Sequence, residues 1–228
     1  MKKDGFINGA IIVSTLIIIT KLLGVLYVIP FYSLVGDEGG ALYGYAYTIY
    51  AFFISLSTAG IPLAISRVVS EYYALGFYNT KQKAFVLFRR LALLFGFIFF
   101  LIMFFLAPFL AHFIIGEVVG GNSIEDVTFV IRVISIAILF VPILSIYRGY
   151  FEGHRFMKAP SISQVIEQVV RIIIIIFGCL IGVKLFRFNL KQTVAIALVG
   201  ASVGALVSLI FLSYKYINNK KKFNDKRI

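Results

Sequence analysis

The chain has 228 residues, of which 61% are hydrophobic and 14% charged. A soluble domain of this size could not hide that much apolar surface, so the composition excludes the soluble classes and predicts an integral membrane protein. The net charge of +12 comes from 22 Lys and Arg against 10 Asp and Glu. The basic residues flank apolar runs, where they set orientation and meet anionic lipid, so nucleic acid is not the expected partner.

Six apolar stretches follow in order, and each is long enough to cross about 30 Å of hydrocarbon as an α-helix. Span one covers residues 6–31. Lys2 and Lys3 precede it as they would a signal peptide, but the apolar run is too long and has no clear small-residue cleavage site. It is therefore expected to be retained. Lys21 interrupts this span near its middle, after Thr20 and three residues before Gly24. A lysine can snorkel to an interface, but this depth favours a side chain facing a cavity. Residues 33–40 form a predicted loop with Asp37, Glu38 and a Gly-Gly turn.

Span two covers residues 41–68. It opens with Tyr43, Tyr45, Tyr47 and Tyr50, which suit either an interfacial belt or the lining of a vestibule. Pro62 predicts a bend, and Arg67 closes the span. Span three, residues 85–111, is packed with Phe and Leu and should face lipid. The acidic segment 116–126 leads into span four, residues 127–146, where Pro142 predicts a kink.

Residues 148–171 read RGYFEGHRFMKAPSISQVIEQVVR and supply the next connection and the start of span five, residues 160–183. Ser161, Gln164, Gln168 and Arg171 recur at steps of three, four and three, which places them on one helix face. Glu167 precedes Arg171 by four residues, the favourable order for an ion pair. Span six covers residues 193–214. Gly200, Gly204 and Ser208 recur there every four residues, a pattern for close helix packing. Residues 215–228 are basic and read as a disordered end or the start of a linker.

Six spans put both ends of the chain on one side. Sixteen basic residues then share that side, against Lys184, Arg187 and Lys191 on the other. The positive-inside rule predicts that both termini are cytoplasmic.

Ionisable groups at membrane depth cost roughly 2.5–3.5 kcal/mol each on insertion scales, so a functional site is the default reading. Lys21, Arg67, Glu167 and Arg171 give three cations and one anion, a balance that favours an anionic ligand. A lipid-linked phosphate or pyrophosphate suits it, because arginine forks match phosphate oxygens. Gln164 and Gln168 complete the predicted substrate-binding set. The competing reading is a structural Glu167–Arg171 pair that holds two helices together. Phosphate-cradling glycine loops, nucleophile elbows and metal-ligand clusters are absent from the sequence, so neither an enzyme nor a cofactor is expected. Cys179 is the sole cysteine, and His112 and His154 read as solvated interfacial residues.

The stretches TKLLGVLYVIPFYSLVG at 20–36, YGYAYTIYAFFISLSTAGIPLAISRVVSEY at 43–72 and the 148–171 segment together carry a resemblance. The chain resembles the polysaccharide and lipid II flippases of the multidrug/oligosaccharidyl-lipid/polysaccharide exporter (MATE-like) superfamily, in its MurJ and stage V sporulation protein B branch. The resemblance implies two six-helix lobes facing each other around a cavity in a bacterial cytoplasmic membrane. It also implies transfer of an undecaprenyl-pyrophosphate-linked sugar precursor between leaflets by alternating access. Lys21 matches the family's first-helix cation, whereas a second cation that some members carry falls near Tyr27 here. At this length the chain corresponds to one lobe, residues 1–214, followed by a tail or inter-lobe linker. The expected partners are a lipid-linked anionic oligosaccharide, membrane lipids and a second lobe from the same gene or another chain. The alternatives are a cation-coupled multidrug exporter lobe, which needs a mid-membrane carboxylate, and a scaffold of cell-wall or sporulation machinery that transports nothing.

Overall fold

A computed structural model of the chain describes residues 6–116 and 121–223. Those residues are almost wholly helical, and none lies in a strand. The ten α-helices are α1 (Phe6–Leu26), α2 (Val28–Thr58), α3 (Ile61–Ala74), α4 (Tyr78–Phe105), α5 (Ala107–Ile115), α6 (Ile124–Ser135), α7 (Val141–Gly153), α8 (Lys158–Ile173), α9 (Cys179–Lys184) and α10 (Leu190–Phe223). A 3-10 turn (Ile136–Leu139) joins α6 to α7, and a π-helical turn (Ile174–Gly178) joins α8 to α9.

Five helical stretches are long and apolar enough to cross a membrane: Val28–Ala74, Tyr78–Phe105, Ile124–Gly153, Lys158–Lys184 and Leu190–Lys220. A shorter apolar stretch, Val13–Leu26, lies in α1. The fold is thus an all-α membrane bundle.

Backbone breaks cut the long apolar stretches into segments. Gly36 adopts φ 66°, ψ −173°, and Gly60 has φ 69°. A side chain at either position would be strained. The expected loop over residues 33–40 is therefore helical on both sides of a single glycine kink. Gly39 and Gly40 are buried helical residues rather than a turn. The bend near Pro62 originates at Gly60, and Pro62 occupies the first turn of α3, where a missing N–H costs nothing. Pro142 sits likewise in the first turn of α7, just after the 3-10 turn.

The apolar side chains divide by position. On α4, Leu91, Leu93, Leu94, Phe95, Phe97 and Ile98 are exposed, while Ala92, Gly96 and Met103 face inward. The composition predicts a lipid-facing helix, and the structure gives α4 an exposed apolar face. Several hydroxyls in the apolar segments bond back to their own helices, for example Thr48 Oγ1 to Gly44 O and Thr58 Oγ1 to Ile54 O. That satisfies them without water.

Two buried clusters fill the interior. One gathers Phe31, Leu42, Phe53, Ile131, Ile175 and Leu198. The other is aromatic, with Phe85, Tyr147, Tyr150, Phe151, Tyr216 and Phe223. His154 belongs to the second region and is buried, not solvated. Its Nε2 lies 3.0 Å from Lys81 Nζ and its Nδ1 lies 2.8 Å from Tyr150 O. Lys81 is itself fully buried and donates to the backbone carbonyl of Phe223. The basic stretch after residue 214 is accordingly helical through Phe223, anchored by this contact. Residues 224–228 fall outside the described part.

Candidate functional site

The site begins with how α8 is held. Helix α10 packs antiparallel along it in a close register. A Cβ at Gly204 would stand 2.7 Å from Glu167 O, and one at Gly200 would stand 3.0 Å from Arg171 O. One step along, Ser208 Oγ donates to Ser163 O at 2.8 Å. The small-residue face predicted at 200, 204 and 208 is thus the seat of α8. Glu167 lies at this seam, where a Cβ at Gly204 would also stand 3.5 Å from its Cγ. Along α10 this level falls where the two buried clusters meet: Ala201 belongs to the first and Ala205 to the second.

A three-member ion pair occupies that level. Arg171 NH2 donates to Glu167 Oε1 at 3.0 Å, and Arg148 NH2 donates to Glu167 Oε2 at 2.8 Å. Arg148 Nε also donates to Ser163 Oγ at 3.0 Å. The side chains are 17%, 16% and 12% exposed for Arg148, Glu167 and Arg171. One carboxylate therefore serves two guanidiniums, and the group carries a net charge of +1. Buried Arg171 Nε has no hydrogen-bond partner. A buried donor left unpaired costs free energy, so this N–H is available to an acceptor.

The tyrosines of α2 form the facing side. Tyr47, Tyr50 and Tyr43 lie close enough to Arg171 to interact with it electrostatically. Tyr43 and Tyr47 stack at 5.7 Å with an interplanar angle of 11°, and Tyr47 meets Tyr50 at 5.6 Å. Their spacing of four and three residues sets them on one face of α2. A third side comes from α1, which packs along α8. A Cβ on Gly24 would stand 3.4 Å from Gln168 Nε2.

The sequence-predicted residues fare differently. Glu167 and Arg171 pair as expected, and Gln168 lies against Gly24 of α1. Gln164 is partly buried one turn earlier. Lys21 is exposed one turn before Gly24 and has no ion pair among the described residues. Arg67 is also exposed and unpaired among the described residues. It lies two residues after Ile65, whose side chain packs on Gly149, but it does not enter the Glu167 group. Arg148 was missed, because its partner sits 19 residues away across the α7–α8 turn. Gly149 and Gly153, which fit against α3, were the available signal that α7 is fixed tightly beside α8.

At the far end of the bundle a separate hollow of about 440 Å³ is lined by Asp37, Glu38, Tyr45 and Asn122, among others. It is acidic and shares no residue with the arginine group. Among the described residues no cluster of His, Cys, Asp and Glu could hold a metal ion.

Residues 6–228 match the family described as "Polysaccharide biosynthesis protein". The chain belongs to that family. Within it, the chain is 38% identical over 216 residues to the lipid II flippase MurJ of Bacillus subtilis (strain 168), covering 94% of this chain and 40% of that protein. It is 28% identical over 220 residues to stage V sporulation protein B of the same organism, covering 95% of this chain and 40% of that one. This member of the polysaccharide biosynthesis family thus spans about 40% of the length of those curated relatives.

Solved structures share its fold. A structure titled as MATE in the bent conformation superposes with a TM-score of 0.70 at 17% identity, over 90% of this chain and 45% of that one. A MOP superfamily transporter from Pyrococcus furiosus, whose title describes a reversed polarity of its binding pocket, gives a TM-score of 0.67 at 16% identity. It covers 96% of this chain and 48% of that one. The family member described here therefore has the fold of roughly one half of a MATE-like transporter.

Proposed function

We propose that this chain is the N-terminal lobe of a flippase that moves an undecaprenyl-pyrophosphate-linked sugar or peptidoglycan precursor across the bacterial cytoplasmic membrane. The observation that carries the reading is the Arg148–Glu167–Arg171 group. It is a net cationic, partly open cluster in the middle of an apolar bundle, with an unpaired N–H on Arg171. A buried cation excess is costly unless an anion comes to meet it. A pyrophosphate headgroup supplies that anion while its polyprenyl tail stays in lipid beside exposed apolar faces such as that of α4.

In this reading Lys21 and Arg67 are the outlying cations that draw the headgroup in from the cytoplasmic side. Gln164 and Gln168 offer hydrogen bonds to the first sugar. Both termini lie in the cytoplasm, residues 1–214 make up the six-span lobe, and residues 215–228 lead toward a second lobe. Two lobes rocking about the site give alternating access. Supporting this are the 38% identity to a lipid II flippase and the coverage of 40–48% of the relatives' own lengths.

The cation-coupled exporter reading is weaker. Its carboxylate would have to be Glu167, and both oxygens of Glu167 are already taken by arginines. A scaffold without a transport path is separated by experiment. Replacing Lys21 and Arg171 together with glutamine abolishes precursor translocation by a flippase and leaves a scaffold active. Retained translocation in the double variant overturns the proposal.

A further inference from the structure

We propose that the three charged side chains divide their labour: Arg171 and the α2 tyrosines form an oxyanion seat for a diphosphate, Glu167 is an internal stand-in for that anion, and Arg148 draws the stand-in aside when the ligand arrives. This deepens the flippase reading and rests on it.

The arrangement follows from hydrogen-bond capacity. Arg171 has five N–H donors, and Glu167 accepts from only its NH2 nitrogen. Nε is buried and unpaired. Tyr43, Tyr47 and Tyr50 lie close enough to Arg171 to interact with it electrostatically, and their hydroxyls can also donate. A diphosphate oxygen placed there meets charge-assisted bonds from the guanidinium and bonds from phenols. It needs no second buried lysine.

Glu167 would repel that ligand if it stayed on Arg171 alone. Arg148 prevents this. It holds Oε2 at 2.8 Å and is itself fixed by Ser163, whose own hydroxyl donates to Pro160 O at 2.6 Å. As the anion takes over Arg171, Glu167 keeps a full counter-ion in Arg148 and is never left unpaired. Arg148 is thus a positioning residue, and Arg171 and Tyr47 are ligand-binding residues.

The test uses the full chain in detergent or nanodiscs, with inorganic pyrophosphate and farnesyl diphosphate as probes and calorimetric titration as readout. Wild-type chain binds both. A preference for farnesyl diphosphate assigns the seat to a lipid headgroup, and equal affinity assigns it to free diphosphate. Glu167→Gln removes the competing anion and raises the net charge from +1 to +2, so affinity rises roughly tenfold at low salt, while the melting temperature falls. A purely structural ion pair would not separate the two readouts in this way. Arg148→Gln hands Glu167 wholly to Arg171 and weakens binding, and the Arg148→Gln, Glu167→Gln double variant recovers it. Tyr47→Phe weakens binding without lowering stability.

A folded Glu167→Gln chain that binds no tighter than wild type overturns the proposal. If that variant does not fold, unchanged affinity in Arg148→Gln overturns it instead. Diphosphate binding that persists when the complete transporter fails to translocate precursor defeats the flippase reading and leaves the seat standing. Precursor translocation without any diphosphate binding at Arg171 does the reverse.

Discussion

Replacing Glu167 by glutamine should cost this fold about 3 kcal/mol. Its carboxylate accepts from Arg171 at 3.0 Å and from Arg148 at 2.8 Å. Hydrogen bonds to charged groups contribute about 1.5–3 kcal/mol each, and removing one partner of a buried pair costs about 3–5 kcal/mol. The side chains keep 12–17% exposure, so residual water argues for the lower end. Glutamine preserves the shape and one acceptor oxygen but points an amide N–H₂ at one arginine.

Arg148→Met should cost less, about 1–2 kcal/mol, because Glu167 retains Arg171. The double variant then costs less than the sum of the two, by about 1–3 kcal/mol of coupling. Thermal melts followed by far-UV circular dichroism in one detergent measure all four corners of the cycle. At about 2–4 °C per kcal/mol for a chain of this size, the Glu167→Gln melt should move down by roughly 6–12 °C. A shift under 2 °C, or strictly additive single variants, would refute the claim that one carboxylate serves both arginines.

Other substitutions test the frame around the site. Gly204→Ala places a methyl 2.7 Å from Glu167 O and should destabilise by about 1–3 kcal/mol in the same melts, whereas Ala201→Gly nearby should cost less. Gly60→Ala forces a Cβ into a left-handed turn at φ 69° and should cost about 1–2 kcal/mol. Arg67→Gln removes an exposed cation that is unpaired among the described residues. Its melting should stay within about 0.5 kcal/mol of wild type, while precursor translocation by the complete transporter falls. In a Cys179→Ala background, a cysteine at Asn122 should react with a membrane-impermeant maleimide on intact cells, and one at Asn79 should not. The opposite pattern would invert the proposed orientation.

Several features were legible in the sequence because they are local. Glu167 and Arg171 lie on one helix, so their spacing alone predicts the pair. Gly200, Gly204 and Ser208 repeat every four residues and could only mark a helix face that another backbone approaches. The Phe- and Leu-rich run of α4 announced an exposed apolar face through lack of polar content.

What stayed hidden depends on neighbours distant in sequence. Arg148 looked like one more basic residue of a connecting segment until α7 and α8 were brought together. Tyr43, Tyr47 and Tyr50 suited an interfacial belt or a vestibule lining equally, and their approach to Arg171 ties them to the site. His154 read as solvated, but it is buried beside Lys81 where Phe223 docks. The bend near Pro62 is present, but its cause is Gly60, because proline fits the first turn of a helix without breaking it.

The central claim is that a lipid-linked anion comes to rest on Arg171 of α8, one turn from Gln168. A photoreactive benzoylphenylalanine at Gln168, in chains expressed in bacterial membranes, tests it most directly when compared with the same group at exposed Phe97 on α4. The account predicts that ultraviolet light links a polyprenyl-diphosphate sugar to position 168 and not to position 97, and that Arg171→Gln abolishes the adduct. Equal capture at both positions, or capture at 168 that survives loss of Arg171, would contradict it.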